Sequence, residues 1–262
     1  MALQKAKENK KLVTFTHSKG NVSIFPSTFH ADFEIYFFLG GDAEFVCANI
    51  RKKLRPLDVV LVPAGEYHQF IPKDSGETYE RCVIMLDPDL LGEAVLKEAF
   101  GDKRILSLGD DHRIVKHLLY LKEIYKTYSA EDFSVLLPAV VTDIVFLLKN
   151  LSDCPVPQEN GLQRLSVEVM KYINANYKNG INLNKIADAF FVSVSTACHY
   201  FKEDFGVSIK QYIIEKKMID AKILVDKGYK AQDICITLGF ENYSTFFRAY
   251  KKRYGVSPSG RK

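Results

Sequence analysis

The sequence predicts an α+β protein: an N-terminal β-sandwich or small barrel with a helical hairpin, followed by an all-α domain carrying two helix-turn-helix units. Three observations carry this prediction. Short β-type runs fill residues 11–86, a helical hydrophobic period replaces them after Pro88, and residues 162–262 contain a near repeat. At 262 residues and 47% hydrophobic composition, the chain can bury two separate cores.

The β-type runs are "LVTFT", "VSIFPSTF", "FEIYFFL", "AEFVCANI", "DVVLVP", "YHQFI" and "YERCVIML", with Gly40-Gly41-Asp42 and Pro63-Ala64-Gly65 as turn signals between them. Such spacing is that of a sandwich or barrel. Then "RIVKHLLYLKEIYKTY" puts Ile114, Leu118, Leu121, Tyr125 and Tyr128 on one helical stripe. Residues 132–150 form a second helix that is apolar nearly all round, and its stripe Val140, Ile144, Phe146 and Leu148 exceeds what one barrel needs to cover. A homodimer through residues 111–150 is therefore expected. Two prolines in "LSDCPVPQENG" mark a linker at 153–161, which separates a domain at 1–152 from one at 162–262.

Helical segments are expected at about 162–177, 183–190, 194–205, 208–227, 231–238 and 242–254. Phe201 to Ser208 overlies Tyr250 to Ser257 at an offset of 49, and Ile186-Ala187 overlies Ile234-Cys235 at 48. The second copy thus has one extra residue in its turn. Ser193 suits a helix N-cap. Ala197, Tyr200, Phe201 and Phe205 form a buried stripe at helical spacing, leaving Ser195, His199 and Lys202 outward. In the second copy Phe246, Ala249 and Tyr250 are the buried set, and Ser244, Phe247, Arg248 and Lys251 face out. A helix of this length fits the major groove, where its first two turns reach base edges.

Charge agrees with that division. Residues 158–262 hold 17 Lys and Arg against 10 acidic residues, whereas residues 1–157 hold 19 against 22. A basic C-terminal part points to a polyanion such as double-stranded DNA. The five cysteines, Cys47, Cys82, Cys154, Cys198 and Cys235, have no zinc spacing with the histidines and read as free thiols of a reducing cytosol. "FSVLLPAVVTDIVFLL" is too short and too polar to span a bilayer, and "MALQKAKENKK" is not a signal peptide. A cytoplasmic protein without a membrane partner is expected.

"LNKIADAFFVSVSTACHYFKEDFGVSIKQYI" and "AQDICITLGFENYSTFFRAYKKRYGVSP" resemble the AraC/XylS family of bacterial transcription regulators, a resemblance that covers residues 162–262. The Gly239-Phe240 turn, its spacing to "FFRAYKKRYG" and the closing Ser257-Pro258 carry it. The resemblance implies two readers in successive major grooves, joined by the long helix near 208–227, and contact with RNA polymerase as in an activator. By position it implies that Ser195, Cys198 and His199 read from the first helix, and Tyr243, Ser244, Thr245, Phe247 and Arg248 from the second. Lys202 and Lys251 complete the DNA-facing set. The sequence departs from the family pattern at His199, where arginine is common, at Cys235, where alanine is usual, and at Phe191, where glycine is frequent. Arg248 can hold guanine through two bonds, so more specificity is expected from the second helix.

The same family often carries a cupin-like sensor, which "HADFEIYFFLGG" and "LRPLDVVLVPAGEYHQFIP" resemble. His30, Glu34 and His68 match three of the four ligand places of metal-binding cupins, and Thr28 takes the first. Three such ligands suit Zn²⁺ or Fe²⁺ with an open site. The preferred reading is a metal-free, cofactor-free pocket for a small polar effector such as a sugar. His30, Glu34, Tyr36, Phe38, Tyr67 and His68 are its expected lining. A ligand-responsive, non-enzymatic regulator is the leading expectation. A metal-dependent cupin enzyme fused to a DNA-binding domain, or a constitutive DNA-binding protein with a dimerisation barrel, are the alternatives.

Overall fold

The computed structural model describes residues 11–20, 28, 30–47, 50–73, 78–151 and 164–259. The chain divides into two compact units, with the main break between residues 159 and 160. The expected linker, 153–161, lies outside the described residues, as do Cys154 and all of the 22–29 run except Thr28.

Among the described residues the N-terminal unit holds eight strands: β1 (Val13–Gly20), β2 (Phe33–Gly40), β3 (Ala43–Cys47), β4 (Ile50–Lys53), β5 (Asp58–Val62), β6 (His68–Pro72), β7 (Tyr79–Leu86) and β8 (Ile105–Ser107). One sheet has the order β1-β7-β2-β5-β8 and the other β4-β3-β6, with antiparallel pairing throughout. The run "AEFVCANI" therefore contains the whole of β3 and the first residue of β4. β8 was not expected from the sequence, because three residues are too few to show a period.

β2 reads as an unbroken apolar run because both its faces are buried. Its odd positions Phe33, Ile35 and Phe37 pack with helices, whereas Tyr36 and Phe38 pack with Phe45, Val60, Val62, Phe70 and Val83 between the sheets. Charge also ties the two sheets. Buried Lys52 on β4 donates to Ser107 Oγ at 3.0 Å, and Ser107 Oγ donates to Asp58 Oδ1 at 2.7 Å.

Three helices cover the outer face of the larger sheet: α1 (Glu93–Phe100), α2 (Arg113–Thr127) and α3 (Ala130–Lys149). α1 was not expected from the sequence. The α2 stripe is corrected: Ile114, Val115, Leu118, Leu121 and Ile124 are buried, while Tyr125 and Tyr128 lie on the exposed side. Tyr125 still rests its ring on Phe15 and Phe133, at 5.0 and 5.2 Å between centroids. On α3, Ile144 and Leu148 are consumed by the unit's own core, Val140 is partly covered and Phe146 is exposed. The expected single outward stripe is thus split. Among the described residues, no helix is long and apolar enough to cross a membrane.

The C-terminal unit contains α4 (Arg164–Asn176), α5 (Leu183–Ala189), α6 (Val194–Phe205), α7 (Ile209–Asp226), α8 (Ala231–Thr237) and α9 (Tyr243–Tyr254). α7 is its spine. Tyr212 Oη on α7 donates to Asn174 Oδ1 at 2.8 Å, and Tyr177 Oη donates to Asp220 Oδ2 at 2.6 Å. From the other side Tyr254 Oη donates to the Met218 carbonyl at 2.9 Å. Buried Lys217 donates to the Gly239 carbonyl at 2.8 Å and lies over the Phe240 ring.

Candidate functional site

The two helix-turn-helix units are α5–α6 and α8–α9. Each second helix starts from a polar cap that accepts a first-turn N–H: Ser193 Oγ from Thr196 at 3.0 Å, and Asn242 Oδ1 from Thr245 at 2.9 Å. Each ends on a left-handed glycine, Gly206 or Gly255, whose N–H donates to Lys202 O or Lys251 O at 2.8 Å. Phe201 and Tyr250, equivalent at the offset of 49, are both buried, which fixes like rotations about the helix axis. The same register therefore faces outward in both copies.

Ala197, Phe201 and Phe205 are buried on α6, joined by Asp204, whereas Tyr200 is only half-buried. Ser195, His199 and Lys202 are exposed and Cys198 is partly covered. His199 is near Glu203, with 3.7 Å between Nε2 and Oε2, which tempers any positive charge it could offer a phosphate. On α9, Phe246 and Tyr250 are buried, Ala249 is half-buried, and Ser244, Arg248 and Lys251 are exposed. Thr245 and Phe247 are partly covered, and Tyr243 leans on Phe246 and Phe247 at 6.0 and 6.1 Å. Arg248 Nε donates to the Ser244 carbonyl at 3.3 Å, which steadies the stem while leaving the end of the guanidinium in solvent. The last turn adds Lys251, Lys252 and Arg253.

In the barrel the expected polar residues converge. His30 precedes β2, Glu34 lies on it, and His68 opens β6. The Gly65 N–H donates to the His30 carbonyl at 2.8 Å, drawing the β5–β6 turn over the start of β2. Glu34 Oε1 lies 3.2 Å from His30 Nε2, and Glu34 Oε2 lies 2.9 Å from His68 Nε2. Each imidazole is fixed from behind: His30 Nδ1 is 3.0 Å from the Asp32 carbonyl and His68 Nδ1 is 3.1 Å from the Glu66 carbonyl. A carbonyl only accepts, so each Nδ1 carries a proton.

Burial alone would raise the Glu34 carboxyl. The two imidazoles outweigh it and hold the group at about 2. Burial opposes charge on His30 as well, but its contact with Glu34 leaves the imidazole above its ordinary value. Tyr36, whose ring meets His68 at 5.9 Å, has its phenol pushed up by burial and then by the Glu34 charge. Phe38 lies farther along β2 against Phe70 at 6.2 Å, and buried Tyr67 donates to Gln69 Oε1 at 3.4 Å.

One inward residue escaped the sequence reading. Arg81 on β7 is buried, with its guanidinium 4.2 Å from the centre of the Phe70 ring and 5.4 Å from that of Tyr36. Its signal was strand parity, since Tyr79, Arg81 and Val83 alternate onto one face, and Tyr79 and Val83 belong to the inner cluster.

Comparison with known proteins finds a family match in each half of the chain. Residues 13–137 match the AraC-like ligand binding domain, and residues 186–260 match the helix-turn-helix domain. The uncharacterized HTH-type transcriptional regulator YdiP of Escherichia coli (strain K12) is 24% identical over 179 residues, 64% of this chain and 51% of that protein. The chain thus spans about half the length of that relative. The uncharacterized HTH-type transcriptional regulator YijO of the same organism is 24% identical over 83% of this chain and 77% of its own length. The transcriptional regulatory protein HptR of Staphylococcus aureus (strain MRSA252) is 23% identical over 72% of this chain and 75% of its own. On this one chain, then, an AraC-like ligand binding domain precedes a helix-turn-helix domain, and the relatives it resembles are HTH-type transcriptional regulators.

Proposed function

We propose that a small polar effector, of which sugars are the first class to try, binds in the barrel and controls how the C-terminal unit engages duplex DNA. The observation that carries this reading is the pair of equivalently capped helices, α6 and α9, each presenting an exposed polar face. In this reading Ser195, Cys198, His199 and Lys202 meet one major groove, and Tyr243, Ser244, Thr245, Phe247, Arg248 and Lys251 the next. His30, Glu34, Tyr36 and His68 hold the effector, with Phe38 and Tyr67 as outer walls and Arg81 as an added contact. The protein acts as a homodimer and contacts RNA polymerase.

Arg248 and Lys251 separate base reading from phosphate contact. After operator selection with the full chain, Arg248→Ala should lose about 1–3 kcal/mol at one base pair and relax preference there. Lys251→Ala should weaken every sequence alike and flatten the salt dependence. Fluorescence anisotropy over a panel of single-base operator variants makes the distinction. An equal loss for Arg248→Ala on all of them would make that residue a phosphate contact and remove the assignment.

A further inference from the structure

We propose, resting on the reading of α6 and α9 as readers of successive major grooves, that Lys217 is a positioning residue that fixes the two at one spacing. Lys217 lies at the middle of the spine α7 and is only 6% exposed. Burial pulls its ammonium below the ordinary lysine value, so the charge is held there at a cost. An apolar side chain of like length would fill the same space without that cost. What the ammonium adds is a directed, charge-assisted bond.

That bond ends on the turn ahead of α9. Lys217 Nζ donates to the Gly239 carbonyl at 2.8 Å and stands 4.7 Å from the centre of the Phe240 ring, which in turn meets the Phe246 ring of α9 at 5.4 Å. The same turn is closed from two further sides. The Gly239 and Phe240 N–H groups donate to the Ile236 and Cys235 carbonyls of α8 at 2.9 and 3.1 Å. Gly239 also faces the 178–180 loop so closely that an added Cβ would lie 2.2 Å from the Lys178 oxygen and 3.1 Å from the Gly180 nitrogen. Since that loop runs from α4 into α5, the second turn is clamped between the spine and the approach to the first helix-turn-helix unit. The first reader meets the spine elsewhere, with Phe201 of α6 against Tyr212 of α7 at 5.4 Å. Five residues separate Tyr212 from Lys217, which puts them roughly 140° apart around a helix of 3.6 residues per turn. One spine thus holds the two readers on different sides, and Lys217 is its polar fastening to the second.

The test uses the full chain and a duplex library in which two randomised elements are joined by spacers of different length. Wild type should enrich one spacing, and one base pair inserted or deleted there, which turns the groove by about 35°, should weaken binding about tenfold or more. Lys217→Met keeps the side-chain length and removes the donor. It should cut that spacing penalty to about threefold or less, as expected when a rigid link between two binding elements becomes a loose one, and leave the base preferences within each element unchanged. In the DNA-free chain the Gly239 and Phe240 amides should exchange with solvent faster in the variant than in wild type. Circular dichroism identifies a variant that fails to fold. Phe240→Leu, which removes the ring beneath the ammonium and keeps apolar bulk, then carries the test with the same expected direction. A folded variant that melts lower yet keeps the wild-type spacing penalty would make Lys217 a stabilising residue only and overturn the proposal, as would unchanged exchange at those two amides. A wild type that enriches no sequence, or enriches sequences at every spacing alike, would remove the reading of two successive grooves and the proposal with it.

Discussion

Glu80 shows how much one side chain can do for the join between sheet and helix. It sits on β7, and its Oε1 lies 2.6 Å from Lys122 Nζ on α2 and 2.8 Å from His17 Nε2 on β1. The lysine contact, opposed by burial and then reinforced by His17, holds the carboxyl at about 2, below its ordinary 4.5. A carboxyl depressed in the folded state stabilises above its unfolded value, and that contribution disappears as pH falls from about 4.5 towards 2. Glu80→Gln should therefore melt lower than wild type at about pH 6, with the gap narrowing on acidification below about 4.5. A gap of constant size across that range would mean that the carboxylate charge contributes nothing to folding. The sequence marks Glu80 only as an outward position on an alternating strand. Its partners come from elements 63 and 42 residues away in the chain, which local pattern cannot bring together.

At the scale of the element, the two turns of the helix-turn-helix units answer one backbone demand with different residues. Phe191 and Gly239 stand at the offset of 48 that relates the repeats ahead of the extra residue, and both are left-handed, at φ 55° and 63°. A Cβ on Gly239 would lie 2.2 Å from the Lys178 carbonyl oxygen, so only glycine fits there. Phe191 meets no such wall, and its side chain is 96% exposed. It carries the cost of the left-handed region, about 1–2 kcal/mol, without burial to offset it. Phe191→Gly should accordingly stabilise the C-terminal unit by roughly 1 kcal/mol, and Gly239→Ala should destabilise it by about 2 kcal/mol or more. Denaturant melts of both variants check the opposite signs. Stabilisation by Gly239→Ala would show that the Lys178 turn yields, and destabilisation by Phe191→Gly would show that the phenyl ring has a partner. The C-terminal helices were legible because caps, apolar period and the repeat all gave the same boundaries. β8 and α1 were not, being three and eight residues long and held by contacts distant in sequence.

For the whole molecule, the sequence shows that the helical hairpin has apolar surface to spare, whereas the fold decides which part of it stays free. Ile144 and Leu148 point into the core because α3 lies across the sheet's outer face, and that orientation cannot be read from a helix apolar on nearly every side. The same limit applies to the barrel cluster. Strand parity put Glu34 inward, but only the β5–β6 turn over His30 joins His30 and His68 to its two oxygens. On α3 the free apolar positions are Val135 at 73% exposure and Phe146 at 43%, with exposed Ala139 between them. Residues 135, 139 and 146 lie within about 40° of one another around a helix of 3.6 residues per turn, so they form one face. The opposite face is already consumed by the core. Pairing this face with its own copy by a twofold axis is the simplest way to cover it, because each helix then supplies both halves of the contact. We expect the full chain to sediment as a dimer at tens of micromolar, with an interface of about 1,600 Å² in total. Val135→Glu combined with Phe146→Glu places like charges opposite one another across that axis while leaving Ile144 and Leu148 untouched. The double variant should sediment as a folded monomer, and its affinity for an operator with two half-sites should fall further than its affinity for a single half-site. A variant that remains a dimer would move the interface away from this face, and a wild type that is monomeric at the same concentration would remove the dimer.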